Sequence, residues 1–248
     1  MPEDFDAALQ AAVWSVLPDV AEVADLGHWR PDGGGRWSSP APRRLAASAG
    51  MPVALLATRL ATALGERLEL AADGGVVEVA GDGFLLVTPD ADGLRSVVTA
   101  VLAAGPGYGR PSRPVPSMVV DPTVPQRRTL DNLLFVVMWA HSRCCVVLNR
   151  KTTDGTAPAA LTEGVLVLLL ADLPRALAAA GDDPAVVLRR LHEVAAATHA
   201  WLDESGDRDG WLDGSDVRER GRLPLVEAVR QVLATGLDVL GLPAPTRC

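Results

Sequence analysis

The stretch 132–151, "NLLFVVMWAHSRCCVVLNRK", decides how this chain is read. It is almost continuously apolar, yet His141, Ser142 and Arg143 interrupt its middle, and Cys144 and Cys145 follow at once. A membrane span, a thiol or metal site, and a buried helix showing a few polar side chains all compete for it. The span fails, because the apolar run is shorter than the roughly 20 residues a bilayer needs and an Arg at its midpoint costs several kcal/mol in lipid. Metal is a poor fit as well: His141 with Cys144 or Cys145 supplies at most two ligands where a tetrahedral site needs four. A helix remains. Offsets of four and seven then return Trp139, Arg143 and Arg150 to one face, while His141 falls with Leu134, Met138, Cys145 and Leu148 and reads as a buried packing residue.

Composition widens the picture. The chain has 248 residues, 48% of them apolar, enough for one large or two modest domains with a proper core. Lys151 is the only lysine, and the Ala, Val, Leu, Gly and Arg bias reads as genomic rather than functional. Cys144, Cys145 and Cys248 are too few and too badly spaced for a disulfide framework, and the opening "MPEDFDAALQ" lacks the basic-then-apolar order of a signal peptide. Both features predict a reduced, cytoplasmic protein. The net charge of −8 argues weakly against nucleic acid, but its distribution matters more. Residues 1–109 carry seven Arg against fourteen acids, net −7, and residues 110–248 sixteen Lys and Arg against seventeen acids, net −1. Over 127–151, Arg127, Arg128, Arg143, Arg150 and Lys151 face only Asp131. That local basic stripe suits phosphate.

The segment 105–126, "GPGYGRPSRPVPSMVVDPTVPQ", is dense in Gly and Pro and reads as a linker between two halves. Before it, an amphipathic helix is predicted over 4–24, and a second after Gly50, with Pro52 in its first turn and Leu56, Leu60 and Leu64 on one stripe. Two short strands flank the hairpin signal Gly81-Asp82-Gly83. After the linker, helices are predicted over 127–151, 159–180, 184–204 and 219–241, with Asp183-Pro184 opening the third and Gly241 following the fourth. Short loops between helices of such lengths make an antiparallel bundle. The fold class is therefore α+β: a small N-terminal α/β sandwich-like domain over 1–104, the linker, and an all-α helical bundle over 127–248.

Chemical motifs are scarce. Gly105, Gly107 and Gly109 follow no strand and lead to no Gly-Lys-Ser/Thr, so they form no phosphate loop. His192 and His199 lie two helical turns apart, too far for one ion, and read as flank residues. The acidic stretch 207–216 reaches Arg218 where a calcium loop requires a bidentate Glu. No nucleophile elbow or Walker sequence occurs, and no cofactor or metal is expected.

Recognition comes from the C-terminal half. The segments "WAHSRCCVVLNRK" (139–151) and "RGRLPLVEAVRQVLATGLDVLGLPAPTRC" (220–248) strongly resemble the DALR-type anticodon-binding domain of bacterial arginyl-tRNA synthetases. More weakly, "LAASAGMPVALLATRLATAL" (45–64) and "VEVAGDGFLLV" (77–87) resemble the additional N-terminal domain of the same enzymes. The catalytic domain that lies between these two in the family has no counterpart here, and no His-Ile-Gly-His-like or Lys-Met-Ser-Lys-Ser-like sequence occurs. The resemblance implies a non-catalytic paralogue of class I synthetase type: a cytoplasmic protein that binds tRNA, arginine tRNA above all, and presents it to a protein partner. The alternative is a docking or activating subunit that has lost RNA binding.

By the same resemblance Trp139 stands where the family has a Tyr that helps bind the anticodon loop, and Arg143, Arg150 and Arg247 become RNA contacts, although Cys248 replaces the family's terminal Met. Phe84 matches the strand that reads a D-loop base, with Leu86 in place of the base-reading Asn. Stacking of an unpaired base on an aromatic ring, with Arg on phosphate, is the chemistry that a splayed-out loop requires.

Overall fold

The computed structural model describes residues 2–19, 25–70, 75–111, 114–118, 128–149, 161–204 and 223–245. The chain forms two compact units, 1–97 and 98–248.

The first unit opens with helix α1 (Pro2–Val16). It is shorter than the 4–24 predicted, because Pro18 has no N–H to donate and disfavours helical geometry in the residue before it; residues 20–24 lie outside the described residues. Strands β1 (Arg30–Pro31) and β2 (Trp37–Ser39) precede helices α2 (Ala41–Ala49) and α3 (Val53–Leu70). The chain then forms β3 (Gly75–Val79) and β4 (Leu85–Pro89) and enters α4 (Ala91–Ala104). The sheet is antiparallel throughout, in the order β1-β2-β4-β3.

The hairpin expected at Gly81-Asp82-Gly83 joins β3 to β4, closed by the Ala80 N–H on the Phe84 carbonyl at 2.9 Å. Gly83 sits at φ +86°, and a Cβ there would come within 2.3 Å of Val53. Alternation on β4 buries Leu85, Val87 and Pro89 and leaves Leu86 and Thr88 half-buried, so one face of the sheet enters the core. The expected stripe of α3 is there: Leu56, Leu60 and Leu64 are all fully buried. Phe5 of α1 tilts against Trp29 with ring centroids 5.9 Å apart.

The second unit is a helical bundle of α5 (Leu133–Asn149), α6 (Leu161–Ala180), α7 (Pro184–Glu204) and α8 (Leu223–Val239). Asn132 caps α5 through its side-chain oxygen on the Phe135 N–H, and Asp183 caps α7 on the Ala185 N–H at 2.8 Å, with Pro184 in the first turn. Gly241, at φ +71°, ends α8 with the Leu242 N–H turned back onto the Leu237 carbonyl. Helix α5 packs on α7 and α8, and α6 on α7. Gly236 lets α8 approach α7 closely, since a Cβ there would meet Leu191 at 2.3 Å.

Within the segment expected as a linker, 105–107 form a 3-10 turn, and Tyr108, Gly109, Arg110, Ser117 and Met118 beyond it contact the bundle. Pro174 inside α6 cannot donate to the carbonyl four residues back, Leu170. The Tyr108 hydroxyl donates to that carbonyl at 2.9 Å. Further on, the Met118 N–H donates to the Leu240 carbonyl at the end of α8. Residues 119–127 lie outside the described residues, as do residues 205–222, which include the acidic stretch 207–216.

No single described helix is long and apolar enough to cross a membrane. Helix α5, the stretch quoted first, is largely buried instead: Leu134, Val136, Val137, Ala140, Cys144, Cys145 and Val147 all face the interior.

Candidate functional site

The i, i+4 spacing of an α-helix stacks Phe135, Trp139 and Arg143 in one row on α5. On α7 the same spacing aligns His199 with Asp203. Packing of α5 on α7 brings the two rows together. The Trp139 and His199 rings lie with centroids 4.3 Å apart and tilted by 36°, and Phe135 stacks on Trp139 at 5.8 Å and 17°. The Arg143 guanidinium lies 5.7 Å from the centroid of the Trp139 ring, a cation–π contact. Three rings and a cation thus form one half-buried surface.

Hydrogen bonds fix the chemistry of that surface. The Val136 carbonyl can only accept, so His199 Nε2, 3.2 Å away, carries the ring proton. Nδ1 is then an acceptor, and Arg143, which can only donate, fills it at 3.0 Å. His199 is therefore neutral, and burial followed by the nearby Arg143 charge lowers its pKa from the ordinary 6.5. Arg143 also donates to the Asp203 carboxylate at 2.9 Å. Its side chain is 15% exposed and that of Asp203 59%. The basic stripe expected around 127–151 is thus partly neutralised within the fold: Arg143 meets an acid from α7.

His141 lies off this surface, as its helical position implies. It is 2% exposed, and its Nδ1–H donates to the Pro245 carbonyl at 2.7 Å, which ties the residues after α8 onto α5. Burial lowers its pKa also. Cys144 is inert for a related reason, its thiol pushed up to about 12 by burial.

Of the residues singled out from sequence, Trp139 and Arg143 come together, and Arg150 and Arg247 lie outside the described residues. Phe84 belongs to the first unit, half-buried beside the β3–β4 turn, where Arg43 lies 5.2 Å over its ring and is paired with Asp82. Leu86 on β4 faces Ser38 of β2 and Glu78 of β3 in register. Sequence reasoning missed Phe135, His199 and Asp203. Phe135 was findable four residues before Trp139. His199 and Asp203 carried only their mutual spacing, with nothing to say which helix they meet.

This arrangement of helices and aromatic surface coincides with a family match. Residues 137–248 match the DALR anticodon binding domain. Among individual relatives, the chain is similar to the arginine–tRNA ligase of Clavibacter sepedonicus, at 33% identity over 74% of this chain and 34% of that protein. It is likewise similar to the arginine–tRNA ligase of a Psychrobacter species, at 34% identity over 51% of this chain and 24% of that protein. Among solved structures, the arginyl-tRNA synthetase of Thermus thermophilus matches 45% of this chain and 20% of its own at 32% identity, with a TM-score of 0.38. The chain spans about a quarter to a third of the length of the curated relatives it matches. The Clavibacter match covers more residues than the second unit alone holds, so it extends into the first.

Proposed function

We propose that this chain binds tRNA, with arginine tRNA as its cognate, holds the anticodon loop on the bundle, and presents the tRNA to a partner enzyme in the cytoplasm without charging it. The observation that carries this reading is the match of 137–248 to an anticodon-binding domain, with Trp139 and Arg143 on its first helix forming an aromatic and cationic surface. Arginine as the cognate follows from the arginine–tRNA ligases among the relatives. The non-catalytic part rests on the sequence, which contains neither of the two nucleotide-binding signatures of class I synthetases.

Filter binding across a salt series tests it. Arginine tRNA should bind more tightly than a scrambled hairpin of equal length, and its affinity should fall steeply as salt rises, because phosphate contacts release counterions. Trp139→Ala should weaken binding by at least about fivefold, the lower end of what one stacked base contributes. Equal affinity for the scrambled hairpin, or no loss with both Trp139→Ala and Arg143→Ala, overturns the proposal.

The second reading, a protein-docking or activating subunit, is favoured by the internal pairing of Arg143 with Asp203 and by the net −7 of residues 1–97. A tagged chain that recovers a protein partner but no tRNA from a nuclease-free lysate selects it.

A further inference from the structure

We propose that Asp203 is a built-in competitor for RNA phosphate: its carboxylate occupies the Arg143 guanidinium that the tRNA backbone needs, and so sets how tightly RNA binds. This rests on the RNA-binding reading above.

The geometry on both sides of the pair points to this role. Arg143 is the more buried partner, laid over Trp139 and donating to His199, so its position is set by the aromatic surface. Asp203 is the more exposed partner and meets Arg143 at 2.9 Å from the solvent side, where a polyanion would arrive. A carboxylate and a phosphate offer a guanidinium the same thing, oxyanion acceptors for its N–H donors, so the two are exchangeable at one site. Exposed ion pairs are weak enough to be exchanged.

Asp203 also lies in the last turn of α7, where no basic residue stands and Glu204 adds a second negative charge. Carboxylates are unfavourable at that end of a helix, which carries the negative end of the dipole. The helix dipole therefore gives no reason for an acid at this position. The favourable interaction of Asp203 is with Arg143.

The test measures equilibrium binding of arginine tRNA to the full chain and its variants at fixed salt. Asp203→Asn keeps the shape, removes the charge, and should tighten binding by about two- to fivefold, the factor an exposed ion pair corresponds to. Asp238→Asn removes the same charge from α8, where Asp238 pairs with Arg110, and should tighten binding less. In an Arg143→Ala background the effect of Asp203→Asn should vanish, because the competitor acts only through that guanidinium. Weaker or unchanged binding in Asp203→Asn overturns the inference, since an aspartate that positions Arg143 or accepts from a base would be missed. Equal tightening by Asp238→Asn overturns it too, as a general charge effect. If the unaltered chain fails to prefer tRNA over a scrambled hairpin, the RNA-binding reading falls and takes this one with it. Binding by the unaltered chain with no gain in Asp203→Asn removes this one alone.

Discussion

Between the Val136 carbonyl and Arg143, the His199 ring can carry only one proton without losing a partner. A second proton on Nδ1 would face the guanidinium donor. His141 is held in a similar way, with its Nε2 buried and without a hydrogen-bond partner among the described residues, and its Nδ1–H bonded to Pro245. Both folded-state pKa values lie below the ordinary 6.5, chiefly through burial. The unfolded chain therefore binds more protons than the folded one as pH falls below 6.5, and stability from these two groups is fully present above that pH and lost beneath it. Thermal unfolding followed between about pH 7.5 and about pH 5 should show a falling midpoint, and His199→Gln should flatten part of the fall. A midpoint equally steep in the variant sinks this account. At this scale the sequence was half legible. Trp139 and Arg143 lie one turn apart on a single helix, so their meeting needed only helical periodicity, whereas the acceptor and acid that hold Arg143 arrive from a helix sixty residues on.

Element by element, what was legible followed from local chemistry. Asp183-Pro184 marks the start of α7 because a side-chain cap and a missing N–H act within one turn, and the helix begins there. Strands β1 and β2 escaped because two and three residues are too short for any alternation to register; they exist because β4 pairs with β2 along Trp37–Ser39. Two positions report how tightly the bundle is built. Gly236→Ala pushes a methyl group into Leu191, and overpacking of this kind costs about 1–3 kcal/mol. Tyr108→Phe leaves the Leu170 carbonyl without its donor, a loss of about 1–3 kcal/mol for a buried acceptor. Denaturant unfolding of each variant checks these figures, and a midpoint unmoved by either would mean that the corresponding contact contributes nothing to stability.

For the whole molecule, charge is distributed unevenly between the two units: residues 1–97 carry net −7, and residues 98–248 net −1. The Pro- and Gly-rich stretch was harder to read, because composition reports a lack of regular structure and not a lack of contacts. Tyr108 and Met118 both bond to the bundle from within it. A fragment starting at 98 should therefore melt cooperatively and at higher temperature than one starting at 127, which lacks both bonds; equal melting temperatures would show those bonds to be dispensable. Tyr108 is also the sole tyrosine of the chain. Its hydroxyl is pushed up to about 12 by burial, with the Asp172 charge adding to it, against the ordinary 10.0. Between those two values the folded bundle keeps its phenol proton and the unfolded chain releases it, so stability falls with rising pH there. The phenolate absorbs ultraviolet light where the phenol does not, so one chromophore signals in alkali the moment the bundle opens, and the first unit, having no tyrosine, is silent.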